Sequence, residues 1–156
     1  MIAGRTLTDP DATAANSIAA TMAVDWAIAW NRHDIDGLAR LVDRDIDFVT
    51  VAGVWLRGAD AFRRHHAEIH RLQMRDSAWR NVDQTARRLR DTLFLVHLRW
   101  AIEGDRDPDG KPRQPRRGIF TWLVEQPAEG GARIIAGQNT NLRSDAVSHG
   151  EERSGR

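Results

Sequence analysis

Helix signals crowd the first half of this chain and strand signals the second, and that order limits its fold more than anything else. Asp9-Pro10 offers a capping carboxylate followed by a proline at the first helical position. From Ala12 to Trp30 apolar residues recur at helical spacing, with Ile18, Met22, Trp26, Ala29 and Trp30 on one side. Asp34 caps a short second helix over 35–42 that buries Ile35, Leu38 and Leu41 or Val42. Residues 47–51 (DFVTV), a turn at Gly53 and residues 54–56 make a small hairpin, ended by Gly58. A third helix, rich in Arg and His, covers 59–73. Strand patterns then take over at 79–85, 93–102 (LFLVHLRWAI), 117–125 and 133–142, the last two joined by a Gly130-Gly131 turn. Helices at one end and a meander at the other predict an α+β fold. A curved antiparallel sheet wraps around the N-terminal helices and makes a cone with an apolar interior.

The 156 residues fit one domain, assigned to 11–143, with 1–10 and 144–156 as disordered flanks. Asp9, Asp11 and Asp25 interrupt the N-terminal apolar pattern, which argues against a secretory signal. No run approaches the roughly 18 apolar residues of a membrane span. A cytoplasmic protein without membrane contact is expected. Lys and Arg (23) nearly balance Asp and Glu (22), so no electrostatic case for nucleic acid arises. The absence of Cys excludes disulfides, thiolate catalysis, Cys-ligated zinc and iron–sulfur clusters. The absence of Tyr removes the phenol as an acid or donor. No G-x-G-x-x-G and no P-loop is present, so no cofactor is expected.

His66 and His70 stand four apart on the third helix and share a face flanked by Phe62 and Ile69. Two imidazoles inside a cone suit general acid–base work, and equally a hydrogen-bonded structural pair. His65 lies to one side and is expected outside. The stretch is H-A-E-I-H rather than H-E-x-x-H, so Glu68 points away and no metal site is assigned. In the 93–102 strand, His97 and Arg99 share one face and Val96, Leu98 and Trp100 the other, so either His97 or Trp100 lines the interior. Asp25 is either a helix-surface carboxylate or a desolvated base. Asp47 is placed as a structural partner of Arg57, and Asn139 as a donor to a ligand carbonyl or to buried backbone. Asp105-x-Asp107-x-Asp109-Gly110 imitates an EF-hand start, but Arg116 holds the position where a bidentate Glu is needed, so the segment is read as a hairpin loop. Arg113, Arg116 and Arg117 form a local basic cluster there.

The stretch Ala29-Trp30-Asn31-Arg32-His33-Asp34, then Asp47-Phe48-Val49, Trp55 and Arg57-Gly58 resembles SnoaL-like members of the nuclear-transport-factor-2-like superfamily. His66, His70, His97, Trp100, Pro115-Arg116-Arg117-Gly118 and Asn139-Thr140-Asn141 narrow the resemblance to the SgcJ/EcaC-type subgroup. It covers roughly residues 20–142. One departure is Gln138, where the subgroup carries His before Asn-Thr. The resemblance implies a cone-shaped, cystatin-like α+β barrel that pairs as a homodimer through its open sheet face. The superfamily includes ketosteroid isomerase and scytalone dehydratase, whose tyrosine donors have no counterpart in this Tyr-free chain.

The expectation is a protein that binds a small apolar or aromatic molecule. The candidate chemistry is a cofactor-independent isomerase, cyclase or dehydratase with His66 and His70 as acid and base and Asp25 in reserve. Trp30, Trp55, Phe62, His97, Trp100 and Asn139 are expected to contact the ligand. The alternative is a non-catalytic binding or accessory homodimer on the same scaffold.

Overall fold

The structure is a computed structural model that describes residues 9–143. The flanks expected to be disordered lie outside the described residues, except Asp9 and Pro10, which belong to the first helix and not to a flank. That helix, α1 (Pro10–Asn31), opens with the Asp9 carboxylate accepting the Asp11 N–H at 3.0 Å. It buries Ala15, Ala19, Met22, Ala23, Trp26, Ala29 and Trp30 and leaves Val24 and Ile28 exposed. His33, at a positive φ of 53°, reverses the chain into α2 (Ile35–Arg40), where Asp34 accepts the Gly37 N–H at 2.8 Å.

β1 (Val42–Val49) begins earlier than the sequence pattern signalled, because the charged residues of its first half sit on the solvent side while Val42, Ile46 and Phe48 point inward. β2 (Trp55–Arg57) returns antiparallel to it. Gly58, at a φ of 82°, then opens α3 (Gly58–Arg71), whose inward line is Phe62, His66 and His70. The four long strands follow as β3 (Ala78–Arg90), β4 (Leu93–Glu103), β5 (Arg116–Glu125) and β6 (Arg133–Asn141). β3 runs past the expected end at Thr85 because its ladder with β4 continues through arginines that carry no apolar alternation.

The six strands lie in the order β2-β1-β6-β5-β4-β3. One pairing departs from the expected all-antiparallel sheet: β1 lies parallel to β6, with Phe48 opposite Gly137. The physical reason is topological. The meander ends with β6 exposed at its edge, and β1 adds its own edge there in the same direction. Breaks of register in the β1–β6, β3–β4 and β5–β6 ladders bend the sheet.

The concave side carries Phe94, Val96, Leu98, Trp100 and Ile102 from β4 and Phe120, Trp122 and Val124 from β5. Trp26 of α1 stands at the centre, its ring 5.0 Å from Phe120 and 5.5 Å from Trp122. α1 is fastened across β3 by polar bonds. Asn31 donates to the Trp79 carbonyl at 2.9 Å and accepts the Trp79 N–H at 2.7 Å, and Asn81 donates to the Ala23 carbonyl at 2.7 Å. Both glycines facing this core are there for close approach: a β-carbon at Gly118 would overlap the Trp100 indole, and one at Gly137 would meet Phe48 at 2.8 Å.

Candidate functional site

The site begins with the phase of α3. Residues 62, 66 and 70 recur every four positions and therefore face the cone together. The His66 ring packs 4.0 Å from Phe62, and its Nδ1 lies 2.8 Å from the Phe62 carbonyl oxygen. A carbonyl can only accept, so Nδ1 carries the proton and Nε2 is left with a bare lone pair. No described residue bonds Nε2. Burial pushes the His66 pKa down to about 3, against the raising effect of the Phe62 carbonyl. The imidazole is thus neutral across the physiological range, in one tautomer.

His66 borders a cavity of about 50 Å³ enclosed by Trp26, Trp30, Phe48, Trp79, Trp100 and Phe120. The polar groups that reach it are His65, His66, Thr50, Asn139 and Arg116. Asn139 is oriented as well. The Trp100 Nε1–H donates to its Oδ1 at 2.8 Å, so the Asn139 amide NH2 remains as a donor. Arg116 lies over the Trp100 ring at 5.6 Å, donates to Asn141 at 2.6 Å and holds the fully buried Asp105 carboxylate through two bonds, at 2.8 and 2.9 Å. Asp105 therefore anchors Arg116 at the edge of the cavity, and the EF-hand-like spacing around it closes a hairpin loop.

Several sequence expectations change here. Trp30, Trp100 and Asn139 line the cavity, and Phe62 supports His66 from behind. His70 is buried but does not share the cavity with His66. Its Nδ1 meets His33 Nδ1 at 2.9 Å, and its ring packs 4.4 Å from Trp30. Burial, then the neighbouring His33 charge, push the His70 pKa down to about 4. Asp25 sits exposed on the outer side of α1, away from the interior, because residue 26 and not 25 falls on the buried stripe. Trp55 is 55% exposed. Its indole donates to Asp47 at 2.8 Å under the Arg57 guanidinium, so Asp47 serves Trp55 and forms no ion pair with Arg57. His97 lies on the outer face of the sheet beside Arg99, which resolves the β4 alternation in favour of Trp100. His65, expected outside, is half-buried and borders the cavity, and burial lowers its pKa.

Sequence reasoning missed Arg116, Thr50 and His65. The parity of β5 held the signal for Arg116, since it shares its face with Gly118, Phe120 and Trp122. Among the described residues no three His, Asp or Glu gather as a metal-binding group, and no helix is long and apolar enough to cross a membrane.

With this geometry in view, a family model for the SnoaL-like domain matches residues 23–129, more than half of the chain. The chain belongs to the SnoaL-like domain family. Solved structures agree on the fold. An uncharacterised protein with a cystatin-like fold from Caulobacter vibrioides matches with a TM-score of 0.75 at 24% identity, covering 83% of this chain and 92% of that one. A ketosteroid isomerase-like protein from Erwinia carotovora atroseptica matches with a TM-score of 0.65 at 15% identity, covering 82% and 96%. A scytalone dehydratase candidate from Novosphingobium aromaticivorans matches with a TM-score of 0.68 at 16% identity, covering 81% and 83%. No curated protein matches the chain. In this SnoaL-like chain the cone interior unites one fixed hydrogen-bond acceptor, His66 Nε2, with one fixed donor, the Asn139 amide, inside an aromatic wall.

Proposed function

We propose that this SnoaL-like chain binds a small, largely apolar molecule that carries a hydroxyl or carbonyl group, at the cone interior. The observation that carries the reading is the fixed His66 tautomer: Nδ1–H is committed to Phe62, so Nε2 accepts a ligand hydroxyl while the Asn139 amide donates to an oxygen. Indole and phenyl faces of Trp30, Trp79, Trp100 and Phe120 supply apolar contact. A volume of about 50 Å³ is small beside the roughly 300–1,000 Å³ of drug-sized sites. A ligand of ring size is admitted by displacing Val51, His65 and Ile69, three of the part-buried members of the lining. Quenching of tryptophan fluorescence by phenol, with benzene as the control, tests this. Phenol binds better than benzene to the parent chain, and His66→Phe erases the difference. Equal binding of the two by the parent chain overturns the reading.

A second reading, cofactor-independent proton transfer of the isomerase or dehydratase type, is favoured by one further observation. His65 and His66 border the same cavity with ring centroids 5.4 Å apart, so a second imidazole is at hand in the cavity. A base with its pKa near 3 is a weak proton acceptor at neutral pH, so this chemistry requires a ligand that raises the His66 pKa. Deuterium wash-in at the carbon beside a ketone carbonyl, lost in His66→Gln, is the expected sign. Binding without exchange leaves a non-catalytic binding protein. The half-buried Leu93, Leu95, Leu123 and Ile135 on the outer sheet face support pairing of two copies, which sedimentation at micromolar concentration measures.

A further inference from the structure

The outer face of the sheet is polarised along its strands. Leu93, Leu95 and Leu123 occupy one end, and the other end carries charge. There, at the first residues of β3 and β5 and the last of β4, lies a cleft of about 450 Å³. Register places Arg80 of β3 and Arg117 of β5 on either side of Ala101 of β4. The two arginines are therefore two strand spacings apart, about 10 Å between backbones. Their side chains rise from the same face as Ala101, whose methyl group fills almost none of the space between them. Ala78 is equally small, and Trp79, Ile102 and Arg116, whose side chains turn to the other face, present backbone to the cleft.

The neighbouring cations are neutralised. Arg116 and Arg113 hold Asp105, Arg106 faces Asp76, and Arg99 faces Asp83. Arg80 and Arg117 have no carboxylate partner among the described residues. Glu103, which borders the same cleft, makes no ion pair with either. Two guanidiniums without a carboxylate partner among the described residues, flanking a small floor, offer a multidentate donor set suited to one oxyanion.

We propose that this cleft is an oxyanion-binding site in which Arg80 and Arg117 clamp a single carboxylate or phosphate group above Ala101. The site stands apart from the cone interior and does not depend on what the interior binds. Glu103 sets an upper limit on the charge accepted, since its carboxylate repels a second anionic group at the Ala78 end.

The test uses the full chain, titrated with inorganic phosphate and separately with acetate, and followed by the arginine side-chain Nε–H signals in nitrogen-15 NMR. Saturable shifts of Arg80 and Arg117 are expected. Arg80→Ala and Arg117→Ala each weaken binding at least about tenfold. Glu103→Gln tightens it about two- to threefold. Arg64→Ala, an exposed arginine on α3, changes nothing. Preference for phosphate over acetate, or the reverse, identifies which oxyanion class the cleft takes. All the substituted residues are exposed, so near-ultraviolet circular dichroism of the tryptophans reports an intact fold for each variant. The proposal is overturned if neither anion saturates the two arginine signals. It is also overturned if Arg64→Ala lowers affinity as much as Arg80→Ala, or if the arginine variants change only the association of two copies and leave anion binding intact.

Discussion

The Trp100 indole lies across the backbone of Gly118, its partner on the neighbouring strand, where any side chain would occupy the same space as the ring. Gly118→Ala must therefore push the indole off the strand and, with it, the bond from Trp100 to Asn139. We expect a loss of about 2–3 kcal/mol in urea unfolding. An unchanged midpoint would show that the indole has room to shift.

Acid stability follows from the two buried imidazoles. His66 and His70 are neutral in the fold with pKa values lowered to about 3 and about 4, whereas in the unfolded chain they titrate near 6.5. Between these limits the unfolded chain binds more protons, so stability rises with pH there and is lost as pH falls from about 6.5 toward 3. The combined loss is on the order of several kcal/mol. A His66→Phe variant, which removes the larger shift, flattens the profile of melting temperature against pH. A flat profile in the parent chain would contradict the burial of both rings.

Asp105 is fully buried and held by Arg116 through two bonds. Asp105→Asn keeps the shape but removes the charge, leaving the mostly buried Arg116 uncompensated. The expected destabilisation is about 3 kcal/mol. Because Arg116 borders the cavity, the same variant also weakens phenol binding, which separates anchoring of Arg116 from a purely local role in the loop.

Trp55 provides the contrasting case. It stands in solvent between Asp47 and Arg57. Trp55→Ala is expected to cost under about 1 kcal/mol and to leave phenol affinity unchanged. A large loss of binding would place this residue at the mouth of the cone.

Most of the fold was legible because its signals are local. Asp9-Pro10 and Asp34 mark helix starts by their own chemistry, and β4 alternates so regularly that its two faces are written in the sequence. The site was only half legible, because alternation separates two faces without saying which one is inside. His97 and Trp100 could be told apart only once α1 was seen to cover the Trp100 side. His66 and His70 share a helix face, yet the cavity ends between them, and His33, brought close by the turn after α1, takes His70 as its partner. Trp55 misled because an aromatic residue in a short strand reads as buried, whereas β2 is the sheet edge and its Trp turns to solvent.

The parallel pairing of β1 with β6 has a consequence for how the chain reaches its native state. Phe48 is paired across the sheet with Gly137, 89 residues later (137 − 48). On the ribosome, the helices and the β1–β2 hairpin emerge long before the strand that completes their sheet edge. Contacts so distant in sequence are slow to close. Until that strand is made, Phe48 has Trp26 and Phe62 to pack against, but the β1 edge that β6 covers has no partner. An unpartnered strand edge of this kind is an aggregation hazard while the chain is being made.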